Sequence, residues 1–296
     1  MNAPERERFL ILTTDVFNDK LMHINHSEAK MKNTDLIIFS GQSNMEGEAE
    51  RMPDDNSPIA GALEYRYLEN KLVPLRHPAG ENISKNGKVF IPRHRDAWGS
   101  AQECALLSAW KKRTNPVPFF CKSYIKTTGR NVIAVHAAKG ATTIDYWQRG
   151  QLGYEMLCKK AKKAIEMTNP EHIYFVWLQG ESDAIEKKSK DLYKKQMICL
   201  YESLHEDLGV EKFGNILVGR FTMDDSDFEI INAQKEVCNE HEGFIMLTEI
   251  TEEIIYIDKY MNPVAHGHYS VDGQELIGFL AGRKLGEFVK ELGIRN

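Results

Sequence analysis

No run of apolar residues in this 296-residue chain approaches the roughly 18 that a helix needs to cross a bilayer. Cysteine is scarce as well. Cys104, Cys121, Cys158, Cys199 and Cys238 are five in number and scattered, with no CxxC pair among them. This excludes a disulfide framework and reads as free thiols in a reducing compartment. There is no excess of positive charge: 38 Lys and Arg stand against 43 Asp and Glu, a net charge of -5. General attraction to nucleic acid or to an anionic membrane is therefore absent, and small-molecule chemistry is favoured. The opening MNAPERERFLILTTDVF has early acidic residues and only a short apolar run, which does not fit a secretory leader. The expectation is a cytoplasmic protein. Internal repeats and low-complexity tracts are also missing.

What is present is an alternation of strand and helix patterns. Apolar, β-rich segments occur at 36–40, 132–136, 173–178, 216–221 and 244–248. Between them lie helical patterns, such as Tyr193, Met197, Leu200 and Leu204, and Leu276, Leu280, Leu285, Phe288 and Leu292. Asp272 followed by Glu275 reads as a capping box at the start of the last helix. Such alternation predicts a mostly parallel sheet covered on both faces. Residues 49–98 break the rhythm, and the hairpin pattern around 69–71 is expected to sit on the rim of the sheet's carboxyl edge. In the first 30 residues, RFLILTTDVF offers a peripheral strand.

Four polar stretches end or follow these segments. In FSGQSNMEGE, 39–48, an apolar strand runs into a small turn where Ser43 is either a nucleophile at a strand's carboxyl end or, with Asn44, a helix cap. AAKGATTIDYW, 137–147, places Gly140 where a backbone N–H can face a ligand. WLQGESDA, 177–184, follows the next strand, and AHGHYSVDGQ, 265–274, precedes the last helix. Acyl transfer at a serine needs a base for its proton and donors for the developing oxyanion. His268 can be the base, and the N–H groups of Ser43 and Gly140 with the Gln179 amide can be the donors.

GQSNMEG, the glycine-bearing block at 139–143, WLQGESD and GHYSVDGQELIG resemble the blocks of the SGNH hydrolases. Within them they resemble the branch of sialate O-acetylesterases and acetylxylan esterases of carbohydrate esterase family six. WGSAQECALLSAW, INAQKEV and MLTEI add to the likeness, which spans roughly residues 35–290. It implies a three-layer α/β/α, flavodoxin-like fold with a mostly parallel five-stranded sheet. One esterase domain over 35–296 then follows an extension at 1–34 and carries the rim insertion at about 49–98. It also implies Ser43 as nucleophile, His268 as base, and Ser43, Gly140 and Gln179 as the oxyanion hole, supported by Gln42, Asn44, Glu181 and Asp183. The implied substrate is a small acetylated carbohydrate, an acetylated xylo-oligosaccharide or sialic acid. No cofactor, metal, nucleic acid or membrane is implied.

The chain departs from the family at one place. The aspartate usual three residues before the histidine is replaced by Ala265. The imidazole still needs an acceptor for its Nδ1–H. A carbonyl near 263–265, Asp183 and Asp258 are the alternatives, and a homologue that only binds a glycan is the further one. Other readings stay paired. Glu181 and Asp183 are an acid/base pair or buried ties between loops. His266 and His268 form an HxH with no completing ligand cluster. Arg93, His94 and Arg95 are sugar contacts or a solvated loop. Trp98, Tyr146 and Trp147 are stacking platforms or core.

Overall fold

The computed structural model describes residues 31–67, 69–80, 84–85, 88–89 and 114–295. The expected strand at 8–17, the WGSAQECALLSAW helix, Cys104, Arg93, His94, Arg95 and Trp98 lie outside the described residues.

The first strand, β1 (Thr34–Gly41), is buried along its whole length. Leu36 and Ile38 enter one core and Ile37 and Phe39 the other, so the strand reads as one continuous apolar run. It lies inside a seven-stranded sheet with β2 (Ala62–Arg66), β3 (Lys71–Pro74), β6 (Asn131–Ala138), β7 (His172–Leu178), β8 (Lys212–Ile216) and β9 (Phe244–Thr248). The remaining strands, β4 (Ser84–Lys85) and β5 (Lys88–Val89), pair only with each other. The order is β3-β2-β6-β1-β7-β8-β9, parallel throughout except for β3 at the edge.

Chain order assigns the helices α1 (Ser43–Glu46), α2 (Val117–Thr128), α3 (Leu152–Thr168), α4 (Glu181–Ile185), α5 (Lys190–Leu208), α6 (Ser226–Glu240), α7 (Thr251–Ile254) and α8 (Val271–Arg295). Helices α3, α5 and α6 cover one face of the sheet, and α2 and α8 the other. The last two approach closely because α8 offers glycine. A Cβ at Gly282 would sit 2.2 Å from the Phe120 carbonyl oxygen.

Three sequence expectations are corrected. The hairpin at 62–74 joins the sheet instead of capping its rim: Leu63 and Tyr65 are buried, and β2 pairs with β6 through Leu63↔Ile133. This raises the strand count from five to seven. The strand read at 216–221 is instead Lys212–Ile216, where Gly214 and Asn215 hide the pattern, and the chain leaves the sheet after an irregularity between Asn215 and Ile216. The last helix is capped by Ser270, whose Oγ accepts the Gly273 N–H at 3.2 Å. Asp272 instead faces Arg51 and Lys259.

From β1 the chain moves to β2 and β6 on one side and then crosses to β7 on the other. β1 is thus the topological switch point, and the crevice outside its carboxyl end is where ligands of such sheets bind.

Candidate active site

Ser43 stands at that crevice because Gly41 lets the strand end there. Gly41 has φ +144°, and a Cβ would fall 2.0 Å from the Leu178 carbonyl oxygen, so only glycine lets β1 and β7 close up at this point. The chain then turns at once into α1, with the Met45 and Glu46 N–H groups donating to the Gln42 carbonyl at 2.9 and 2.8 Å. The N–H groups of Ser43 and Asn44 have no acceptor among the described residues.

His268 comes from the loop before α8. Asn262 organises this loop: its side-chain oxygen accepts the N–H groups of Val264 and Ala265, and its own N–H donates to the His268 carbonyl at 2.8 Å. Gly267, at φ +72°, lets the Phe221 ring pack where a Cβ would stand, 2.2 Å from the nearest ring atom. His268 Nε2 lies 2.9 Å from Ser43 Oγ. Its Nδ1 lies 2.9 Å from the His266 carbonyl oxygen. A carbonyl only accepts, so Nδ1 carries the hydrogen and Nε2 presents its lone pair to the serine hydroxyl.

The acceptor is thus a main-chain carbonyl, one residue beyond the 263–265 stretch expected. The two aspartates are engaged elsewhere. Asp183 is fully buried, 2.7 Å from Lys188 Nζ, and accepts the Ile144 N–H at 2.9 Å. Asp258 is exposed in the 3₁₀ turn Asp258–Tyr260.

Two of the expected oxyanion donors are not open. The Gly140 N–H donates to Glu46 Oε2 at 2.6 Å. Gln179 is fully buried, and its Nε2 meets Asp183 Oδ2 at 2.5 Å, the Thr142 carbonyl at 2.9 Å and Gln42 Oε1 at 3.1 Å. Its own oxygen accepts the Tyr193 hydroxyl at 2.9 Å. Gln179 therefore ties β7 to the 142–147 loop and to α5. Its environment is set by Tyr193 and Gln234, which close over it from α5 and α6 and give no sign in the QGESD motif itself. Glu46 was overlooked, although Ser43 to Glu46 has the S-x-x-E spacing of a capping box, which announces a carboxylate returning toward the turn.

Asn44 staples the Ser43 turn to its neighbours. Its Nδ2 donates to Glu181 Oε1 at 2.7 Å and to the Gly267 carbonyl at 3.3 Å, and its Oδ1 accepts the Tyr269 N–H at 3.2 Å. Glu181 and Asp183 are both buried away from solvent, as ties between loops. Trp147 is core, with its indole N–H on Thr142 Oγ1 at 3.0 Å. No trio of His, Cys, Asp or Glu able to hold a metal occurs among the described residues, and no helix among them is long and apolar enough to cross a membrane.

Burial raises the Glu181 carboxyl above the ordinary glutamate value of 4.5, while the Asn44 bond and backbone N–H groups pull it down. A raised folded value favours the protonated fold. This contribution is complete below the unfolded value and is lost as pH rises through the folded one. Glu181→Gln keeps an oxygen for Asn44 without the charge, so its Tm should gain on the wild type as pH climbs above about 4.5. A Tm difference that stays constant with pH would remove Glu181 as the responsible group.

With this geometry in view, residues 33–252 match the family described as carbohydrate esterase, sialic acid-specific acetylesterase. The match contains Ser43, Gly140 and Gln179 and ends before His268. A probable carbohydrate esterase of Arabidopsis thaliana is 25% identical over 186 residues, which are 59% of this chain and 64% of that protein. The chain therefore spans less than two thirds of this curated relative. Among solved structures, NanS superposes with a TM-score of 0.64 at 11% identity, over 90% of this chain and 100% of that one. A protein from Arabidopsis thaliana gives 0.58 at 18% identity, over 86% and 98%. A carbohydrate acetylesterase from Xanthomonas citri gives 0.53 at 15% identity, over 86% and 57%. At these identities the superpositions establish a shared fold. The match over residues 33–252, which is most of the sequence, goes further: the chain belongs to the carbohydrate esterase family of sialic acid-specific acetylesterases.

Proposed function

We propose that this chain is a serine esterase that removes O-acetyl groups from a carbohydrate. The observation that carries the reading is the 2.9 Å contact between Ser43 Oγ and His268 Nε2, with Nδ1 anchored on a carbonyl. The Ser43 hydroxyl gives its proton to Nε2 as Oγ attacks the acetyl carbonyl carbon. The tetrahedral oxyanion then collapses, the bond to the sugar oxygen breaks, and the imidazolium returns its proton to that oxygen. Water, deprotonated by the same Nε2, attacks the acetyl-serine and releases acetate. Family membership supports the carbohydrate as leaving group, as do the relatives named carbohydrate esterases.

A second reading is a glycan-binding homologue without turnover. It is favoured by Ala265 in the place of the family aspartate and by the Glu46 carboxylate on the Gly140 N–H. A panel of aryl acetate, acetylated xylo-oligosaccharides and acetylated sialic acids, each with a Ser43→Ala blank, separates the two. Acetate release above the blank is expected for the aryl ester and for at least one acetylated sugar. Saturable sugar binding with no release above the blank would establish the second reading.

A further inference from the structure

With Gly140 and Gln179 committed elsewhere, the crevice has to find its donors among other groups, and one side chain is left unspent. Gln42 is 4% exposed and immediately precedes the nucleophile. Its Oε1 accepts the Ser182 N–H and the Gln179 Nε2, each at 3.1 Å. A backbone N–H can be met only by the oxygen of the amide, so the Ser182 contact fixes which way the amide faces. The Nε2 hydrogens then point away from Ser182 and have no acceptor among the described residues. Nor is this nitrogen among the fully enclosed atoms lacking a partner, so it opens outward.

We infer that the side-chain amide of Gln42, together with the Ser43 N–H, donates to the oxyanion, in the place expected for Gln179 and Gly140. The inference rests on the serine esterase reading. The two donors belong to adjacent residues at the carboxyl end of β1, and neither has an acceptor among the described residues until an ester oxygen arrives. The Gln42 amide is also held rigid: Oε1 is pinned at two points, and the Gln42 N–H donates to the Leu178 carbonyl at 3.1 Å. A donor fixed in advance is what stabilises charge that develops only in the transition state. Gln179 supports this donor through its Nε2 contact to Gln42 Oε1, which makes it a positioning residue.

The test is Gln42→Glu, which keeps an oxygen for Ser182 and Gln179 but loses the Nε2 donor, alongside Gln42→Met, which has neither. With Tm confirming a folded protein, kcat on an aryl acetate should fall about 10²- to 10³-fold while KM changes little, since the donor serves the oxyanion and not the bound ester. A folded variant that keeps kcat within about threefold of wild type would overturn the inference. If wild type and Ser43→Ala hydrolyse equally, the serine reading itself fails, which is a separate outcome. The wild-type protein gives a readout that no folding defect can disturb. With ¹⁵N-glutamine labelling and Ser43 phosphonylated by an alkyl phosphonate, the Gln42 side-chain amide resonance should move. A Gln42 resonance that stays in place would overturn the assignment.

Discussion

Ser43→Ala is expected to lower kcat for an aryl acetate by about 10⁴- to 10⁶-fold, the scale seen when a serine hydrolase loses its nucleophile. The hydroxyl has no substitute nearby. Ser40 is fully buried with its Oγ on the Ala137 carbonyl at 2.8 Å, and Ser182 stands on α4 with its N–H bonded to Gln42. The fold should be indifferent to the change, because Ser43 contributes no side-chain cap to α1 and the turn is shaped by Gly41 and Gly47. Thermal unfolding would therefore report the same Tm within a degree or so for a substitution that removes no named stabilising contact. A variant with near-wild-type turnover would take Ser43 out of the mechanism.

His268→Ala should cost a similar factor, and the Ser43→Ala, His268→Ala double variant should be little worse than either, since the two groups act as one unit. The sharper question is what orients the imidazole. Loss of an orienting carboxylate can cost on the order of 10⁴ in turnover when the wrong tautomer results. Here the Nδ1 partner is the His266 carbonyl, so Asp258→Asn should leave kcat unchanged and Asp183→Asn should leave most of it. Asp183→Asn should still lower Tm, because it breaks the contact between a buried carboxylate and Lys188 and leaves the lysine, about 9% exposed, less well paired. That split, a lower Tm with a retained kcat, separates structural work from orientation of the histidine. A collapse of kcat in either folded variant would identify that aspartate as the third member of the site.

The strand and turn from Asp35 to Gly47 were legible because they rest on local chemistry. An apolar run buried on both faces, followed by glycines, has few other readings. Helices α5 and α8 were legible for the same reason, through apolar residues at helical spacing. The strand β8 was not, because Gly214 is there to admit Leu247 from the neighbouring strand, a long-range demand that weakens the local pattern. The hairpin β2-β3 was recognised as a hairpin, but its membership of the sheet depends on partners in β6 some seventy residues on.

In the candidate site, the pairing of Ser43 with His268 follows from the motifs, whereas the donors do not. Whether an amide near a strand end is open depends on what packs over it. Gln179 is enclosed by side chains from α5 and α6, and the Gly140 N–H is taken by Glu46. Neither fact can be read from QGESD or from the glycine block alone.

The most direct test of the account is to stop the reaction midway and weigh the protein. During turnover of an aryl acetate, whose good leaving group lets acyl-enzyme build up, the acid-quenched chain should carry one added acetyl group. The peptide bearing it should contain Ser43, the label should disappear once substrate is exhausted, and Ser43→Ala should carry none. Full-rate hydrolysis with no acetyl on Ser43, or a kinetically competent acetyl on another residue, would contradict the mechanism.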